Sequence, residues 1–145
     1  MNGIAANWYS AQLGYASNKR FVAGMQAEYK ADPGYYAAGA YVAAQVLDAA
    51  LRQVSGKIED KQAFMKAVRE GSFPETARGP VRFDQYGNVV GNVYIRKVGK
   101  QGGRLVNTVV KTYPDVSQFW TYDPAEFLKQ PVYARDSPPA RFLNQ

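Results

Sequence analysis

The chain has 145 residues, with 18 Lys+Arg against 12 Asp+Glu, and neither His nor Cys. That length holds one domain with a sizeable core, and no apolar run reaches the ~20 residues that a membrane-crossing helix needs. Missing Cys and His exclude disulfide scaffolds, Cys-zinc sites, thiol nucleophiles and Ser-His catalysis, which tilts the reading from catalysis towards binding.

The first residues carry no charge before Lys19 and read as one short strand that includes Trp8 and Tyr9. They have neither the basic start nor the long apolar centre of a secretory signal. A helix is predicted over residues 18–30, because Phe21, Met25 and Tyr29 recur every fourth position. Ser17 is its expected cap. Asp32-Pro33 should open a second helix, with Asp as cap and Pro in the first turn.

That second helix, residues 34–54, is the most apolar. Tyr36, Ala40, Ala44, Leu47, Leu51 and Val54 form its expected buried face, and further alanines fill most of the rest. A third helix starts near Glu59-Asp60 and ends at Gly71. From Gly79 the period changes to two. Residues 84–88 read as a turn, 89–98 as a strand, and 100–103 as a hairpin turn. Residues 105–112 read as a strand apolar on both faces, hence central. An irregular tail then follows, punctuated by Pro124, Pro131, Pro138 and Pro139 and rich in aromatics.

Four features are candidates for chemistry. Between Arg78 and Lys111 the basic side chains outnumber the single acid Asp84. Arg82, Arg96, Lys97, Lys100 and Arg104 would be the nucleic-acid contacts of such a hairpin, through phosphates, with stacking on Tyr86 and Tyr94. The plainer reading is a solvated sheet edge that resists aggregation. The acids Glu59, Asp60, Glu75 and Asp84 do not form a catalytic pair. The glycines of residues 99–103 precede a strand, whereas a phosphate loop needs a following helix N-terminus.

The fourth feature is the stretch 32–36, Asp-Pro-Gly-Tyr-Tyr. It places two aromatics at the positive end of a buried helix, where free N–H groups can meet an anion. With Trp8 and Tyr9 they would wall an aromatic-friendly pocket, although each Tyr is also explained by core packing.

Residues 34–47, Gly-Tyr-Tyr-Ala-Ala-Gly-Ala-Tyr-Val-Ala-Ala-Gln-Val-Leu, resemble a helix near the end of branched-chain amino-acid-type (type I) periplasmic binding proteins. Those are the substrate-binding subunits of ABC importers. Residues 18–22 resemble the helix before it. Residues 79–88 and 93–98 resemble the family's closing strand and its return to the second lobe. The resemblance covers residues 3–98. It implies an α/β fold, with three helices and a few strands in a mixed sheet, as part of a two-lobe flytrap. Residues 1–17 would be a strand of the second lobe and a crossover, 18–91 the closing portion of the first lobe, 92–113 the return to the second, and 114–145 a tail.

The implied function is non-enzymatic capture of an amino acid or a bulky aromatic acid in the cleft, without cofactor, metal or nucleic acid. An ABC permease would be the partner and the periplasm the location. The implied contacts are Tyr35, Tyr36, Ala38 and Gly39, with Trp8 and Tyr9 beside them. A chain of this length would supply half a cleft and bind weakly or not at all alone. Its over-apolar helix would be covered by other copies in a homo-oligomer.

Overall fold

The computed structural model describes residues 3–129. Its backbone is a long hairpin of two 13-residue strands, β4 (Val89–Gln101) and β5 (Arg104–Val116). Gly102 and Gly103 join them with φ of 56° and 78°. Two successive positive φ values are what a tight hairpin turn demands, and glycine supplies them without a Cβ clash.

β4 is the strand on which the sheet is built. One edge pairs with β5 from Gly91↔Val116 to Gln101↔Arg104. Two further strands precede it in the chain, β1 (Ile4–Asn7) and β3 (Gly79–Phe83). β3 pairs with β4 at Val89–Gly91, and β1 pairs with it at Tyr94–Lys97. An outer strand, β2 (Ser72–Thr76), pairs with β3. Every pairing among the described residues is antiparallel, where a mixed sheet was expected.

Two expectations about strands are corrected. β5 is an edge strand rather than a central one, and its Leu105 and Val110 are exposed. Apolar residues on both faces of a strand do not by themselves supply a second neighbour. β2 was not foreseen. Pro74 lies inside it, and the register shifts between Phe73 and Thr76. Proline is tolerated at such an irregular outer position and hides the strand pattern.

Three helices pack on the sheet: α1 (Ala16–Tyr29), α2 (Tyr35–Gln53) and α3 (Lys61–Glu70). Ser17 does not cap α1. It is buried and accepts a 2.6 Å hydrogen bond from Gln45 Nε2, which ties α1 to α2. Asp32 does not cap α2, whose N-cap is Gly34 without a side-chain bond. It accepts instead from Gln26 Nε2 at 2.6 Å and pairs with Arg104 at 2.7 Å. Asp60 does cap α3, accepting from the Ala63 N–H at 2.9 Å.

α2 buries Ala38, Val42, Val46 and Ala50, an i, i+4 stripe. The face expected to be buried points outward: Tyr36, Ala40, Ala44, Leu47 and Leu51 are exposed. A helix apolar nearly all round has no contrast from which periodicity can choose a face.

The core gathers Tyr9, Leu13, Phe21, Val42, Val46, Phe73, Val81 and Tyr94. Phe21 and Tyr41 stack at 4.3 Å, locking α1 against α2. The turn at 84–88 forms as expected, with Asp84 Oδ1 accepting from the N–H groups of Tyr86 and Asn88. After β5, Phe119 is buried between Tyr86 and Phe127, and Asp123 caps a short helix, α4 (Pro124–Leu128). The expected irregular tail thus contains one helical turn. Its Pro131, Tyr133, Pro138, Pro139 and Phe142 lie outside the described residues. Among the described residues, no helix is long and apolar enough to cross a membrane, and no acidic cluster suits a metal ion.

Candidate ligand-binding site

The loop before α2 ends at Gly34, whose carbonyl accepts from Ala38 N–H at 3.0 Å. The N–H groups of Tyr35, Tyr36 and Ala37 therefore stand at the helix start without an intrahelical acceptor. Gly34 offers no side chain to cap them. A 19-residue helix focuses positive potential there.

Trp8 leaves the end of β1 and lies against this helix start. Its ring meets Tyr35 edge to face, 6.3 Å between centroids at 84°. Tyr35 and Tyr36 lie 4.2 Å apart, and Tyr36 is 81% exposed. One turn further on, a Cβ placed at Gly39 would meet Trp8 Cη2 at 3.7 Å, so the indole rests on the helix backbone.

The structure thus brings together Trp8, Tyr35, Tyr36 and Gly39. Tyr9 and Ala38 belong to the core instead, each at most 1% exposed. The Tyr9 hydroxyl donates to Asn18 Oδ1 at 2.9 Å, and burial, with Asp32 as a lesser cause, pushes its pKa up. Its neighbour Asn18 donates to the Leu13 carbonyl, which fixes the chain after β1.

A side chain that the sequence did not single out lies over the Trp8 ring. The Arg78 guanidinium sits 4.6 Å from the indole centroid. Its Nη2 donates to the Asn92 carbonyl at 3.2 Å, and its buried Nε has no partner. Burial pushes its pKa down, partly opposed by Tyr94. The backbone of Arg78 is held too, because the Tyr94 hydroxyl donates to its carbonyl at 2.6 Å. Asn92 Nδ2 donates in turn to the hydroxyls of Tyr94 and Tyr15, each at 3.2 Å. In the sequence Arg78 stands between Ala77 and Gly79, and neither neighbour marks it as a site residue.

Two concavities adjoin these groups. A groove of about 390 Å³ runs between α2 and β3, walled by Trp8, Val42, Val46, Val81 and Phe83, with Arg78 as the only charged residue lining it among the described residues. A more polar cavity of about 320 Å³ faces the loop before α2, lined by Ser10, Asp32, Tyr35, Arg96 and Asn107 among others. There Arg96 Nη1 donates to the Tyr9 carbonyl at 2.7 Å, and burial lowers its pKa.

The basic hairpin is less free than its sequence suggests. Arg96 and Arg104 are engaged by the Tyr9 carbonyl and by Asp32, and Arg82 lies 3.8 Å from Asp115. Lys97 and Lys100 are exposed.

A family model described as periplasmic binding protein matches residues 3–104, more than half of the chain. Among solved structures, the chain is similar to a solute-binding protein of an ABC transporter from Rhodopseudomonas palustris BisB5, in complex with 3,4-dihydroxybenzoic acid. Identity is 31%, the TM-score is 0.73, and the match covers 87% of this chain and 33% of that one. A second Rhodopseudomonas palustris solute-binding protein, in complex with benzoate, is 29% identical with a TM-score of 0.67, over 82% of this chain and 32% of that one. An ABC transporter substrate-binding protein from Sphaerobacter thermophilus is 24% identical, with a TM-score of 0.74 over 79% and 32%. No curated protein matches. The chain spans about a third of the length of these solved relatives. The matched family and the helices-on-sheet arrangement agree on one assignment: this chain belongs to the periplasmic binding proteins, whose members bind solutes rather than catalyse reactions.

Proposed function

We propose that the chain forms part of the solute-binding component of an ABC importer, and that its cleft takes an aromatic carboxylate. The observation that carries this is the aromatic wall of Trp8, Tyr35 and Tyr36 at the uncapped start of α2. Flat aromatic faces suit a planar ring, and the positive helix end favours an anion. The relatives bound to 3,4-dihydroxybenzoate and benzoate support that choice over an aliphatic amino acid.

In this reading, residues 1–17 are a strand of the second lobe and a crossover, 18–91 lie in the first lobe and 92–113 return to the second, with 114–145 following. β4 then runs from one lobe into the other, and ligand contacts made only in the closed state drive closure. The location is periplasmic and the partner a membrane permease. Binding by this chain alone is weak, because it spans a third of its relatives' length.

Thermal shift tests the proposal. A ligand that binds only the folded chain raises the melting temperature in proportion to RT ln(1 + [L]/Kd). Millimolar benzoate and 3,4-dihydroxybenzoate are expected to raise it, and leucine is not. A rise with leucine alone would contradict the aromatic reading.

A further inference from the structure

We propose that Arg96 binds the carboxylate of an aromatic acid whose ring lies on Tyr35 and Leu105, in the polar cavity that faces the loop before α2. The inference deepens the proposed function and rests on it, because it names the group that meets the acid beside the same Tyr35.

The cavity of about 320 Å³ is lined by stretches that the lobe assignment above keeps apart. Tyr9, Ser10, Arg96 and Asn107 come from the second lobe and its crossover, and Asp32 and Tyr35 come from the first lobe. A ligand there touches both sides, as closure on a ligand requires. The volume lies in the range of small-ligand sites.

Charge says what the cavity lacks. Among the described residues, its charged lining is Arg96 and Asp32. The Asp32 carboxylate is already engaged, accepting from Gln26 Nε2 at 2.6 Å and pairing with Arg104 at 2.7 Å. Arg96 has no carboxylate within ion-pair distance among the described residues. One positive charge is therefore left uncancelled. Arg96 Nη1 donates to the Tyr9 carbonyl at 2.7 Å, and Nε is sealed inside the protein, so neither serves a ligand. Nη2 has no acceptor among the described residues and, unlike Nε, is not sealed. It is the donor for an incoming carboxylate oxygen, a charge-assisted bond about twice as strong as a neutral one. The Nη1 bond presets the guanidinium, so less side-chain freedom is lost on binding.

The rest of the lining chooses among anions. Tyr35 is 41% exposed and Leu105 56%, and a flat ring would cover both. An inorganic anion would leave them bare, and a neutral arene would leave Arg96 unpaired. Benzoate and its hydroxylated forms satisfy both demands.

The test is titration of the labelled 145-residue chain with benzoate and with its neutral isostere benzamide, read from the amides of residues 9–12 and 105–107. Benzoate should shift them saturably, and benzamide should bind about tenfold more weakly, the factor expected for one charge-assisted contact. Arg96→Gln should erase that preference, Arg96→Lys should retain part of it, and Lys100→Gln on the exposed hairpin should leave it unchanged. Circular dichroism establishes that each variant is folded. Loss of the Tyr9 contact alone would weaken both ligands alike and leave their ratio unchanged. An Arg96→Gln variant that still prefers benzoate, or equal binding of the two ligands by the wild-type chain, would overturn Arg96 as the carboxylate partner and leave the solute-binding reading standing. Benzoate shifts at residues 35–39 with none at 9–12 and 105–107 would do the same. Saturable binding of leucine with none of benzoate would overturn both.

Discussion

Two buried tyrosines give the molecule its sharpest pH signature. Burial pushes the Tyr9 phenol up and is the largest cause of the same shift at Tyr94, which is raised further by Tyr15. A phenol whose pKa is raised on folding stabilises the fold fully below its unfolded value of about 10, and that contribution is lost as pH climbs towards the raised value. Alkaline titration of the 11 tyrosines by ultraviolet absorbance should therefore leave a slow fraction that ionises only with unfolding. Tyr94→Phe should shrink that fraction and destabilise by about 1–3 kcal/mol, since the Arg78 carbonyl and Asn92 lose a buried partner. Immediate ionisation of every tyrosine in the folded chain would contradict the burial. These roles were only half legible in the sequence. Tyr9 and Tyr94 looked like site or surface aromatics, and nothing local reveals that Asn18, nine residues away, receives the Tyr9 hydroxyl. Arg78 was counted as one charge of a hairpin, because its meeting with Trp8 joins residues seventy positions apart.

At the scale of elements, local chemistry was legible where one residue type settles the backbone. Asp60 caps α3, Gly87 sits at φ 81° in the 84–88 turn, and the paired glycines turn β4 into β5. Asp60→Ala should cost about 1 kcal/mol in denaturant unfolding, as caps of this kind do. An unchanged midpoint would mean that tertiary packing alone holds α3. What stayed illegible needed competition between partners. Asp32 and Ser17 are good caps in isolation, yet Arg104 and Gln45 claim them. The uniform apolarity of α2 concealed which stripe meets the sheet, and the apolar residues on both faces of β5 concealed that nothing pairs with its outer edge among the described residues.

For the whole molecule, the outward face of α2 matters most. Leu47 and Leu51 are 50% and 38% exposed, and Met65 on α3 is 43% exposed. Exposed apolar area of this kind favours association, so concentrated solutions should contain dimers or larger species by light scattering. Leu51→Glu should shift them towards monomer, and a wild-type chain monomeric at high concentration would refute the idea. The family's order of elements was legible because residues 18–98 carry several short patterns in sequence. The disposition of the basic hairpin was not, since the partners of Arg96 and Arg104 come from the loops after β1 and before α2.

A two-dimensional amide spectrum of the labelled chain, titrated with benzoate and separately with leucine, tests whether Trp8, Tyr35 and Tyr36 at the start of α2 wall an aromatic-carboxylate site. Benzoate should move the amides of residues 35–39 and the Trp8 indole N–H, with leucine moving them far less. Benzoate shifts confined to the exposed hairpin residues 97–104, or equal shifts with leucine, would refute that site.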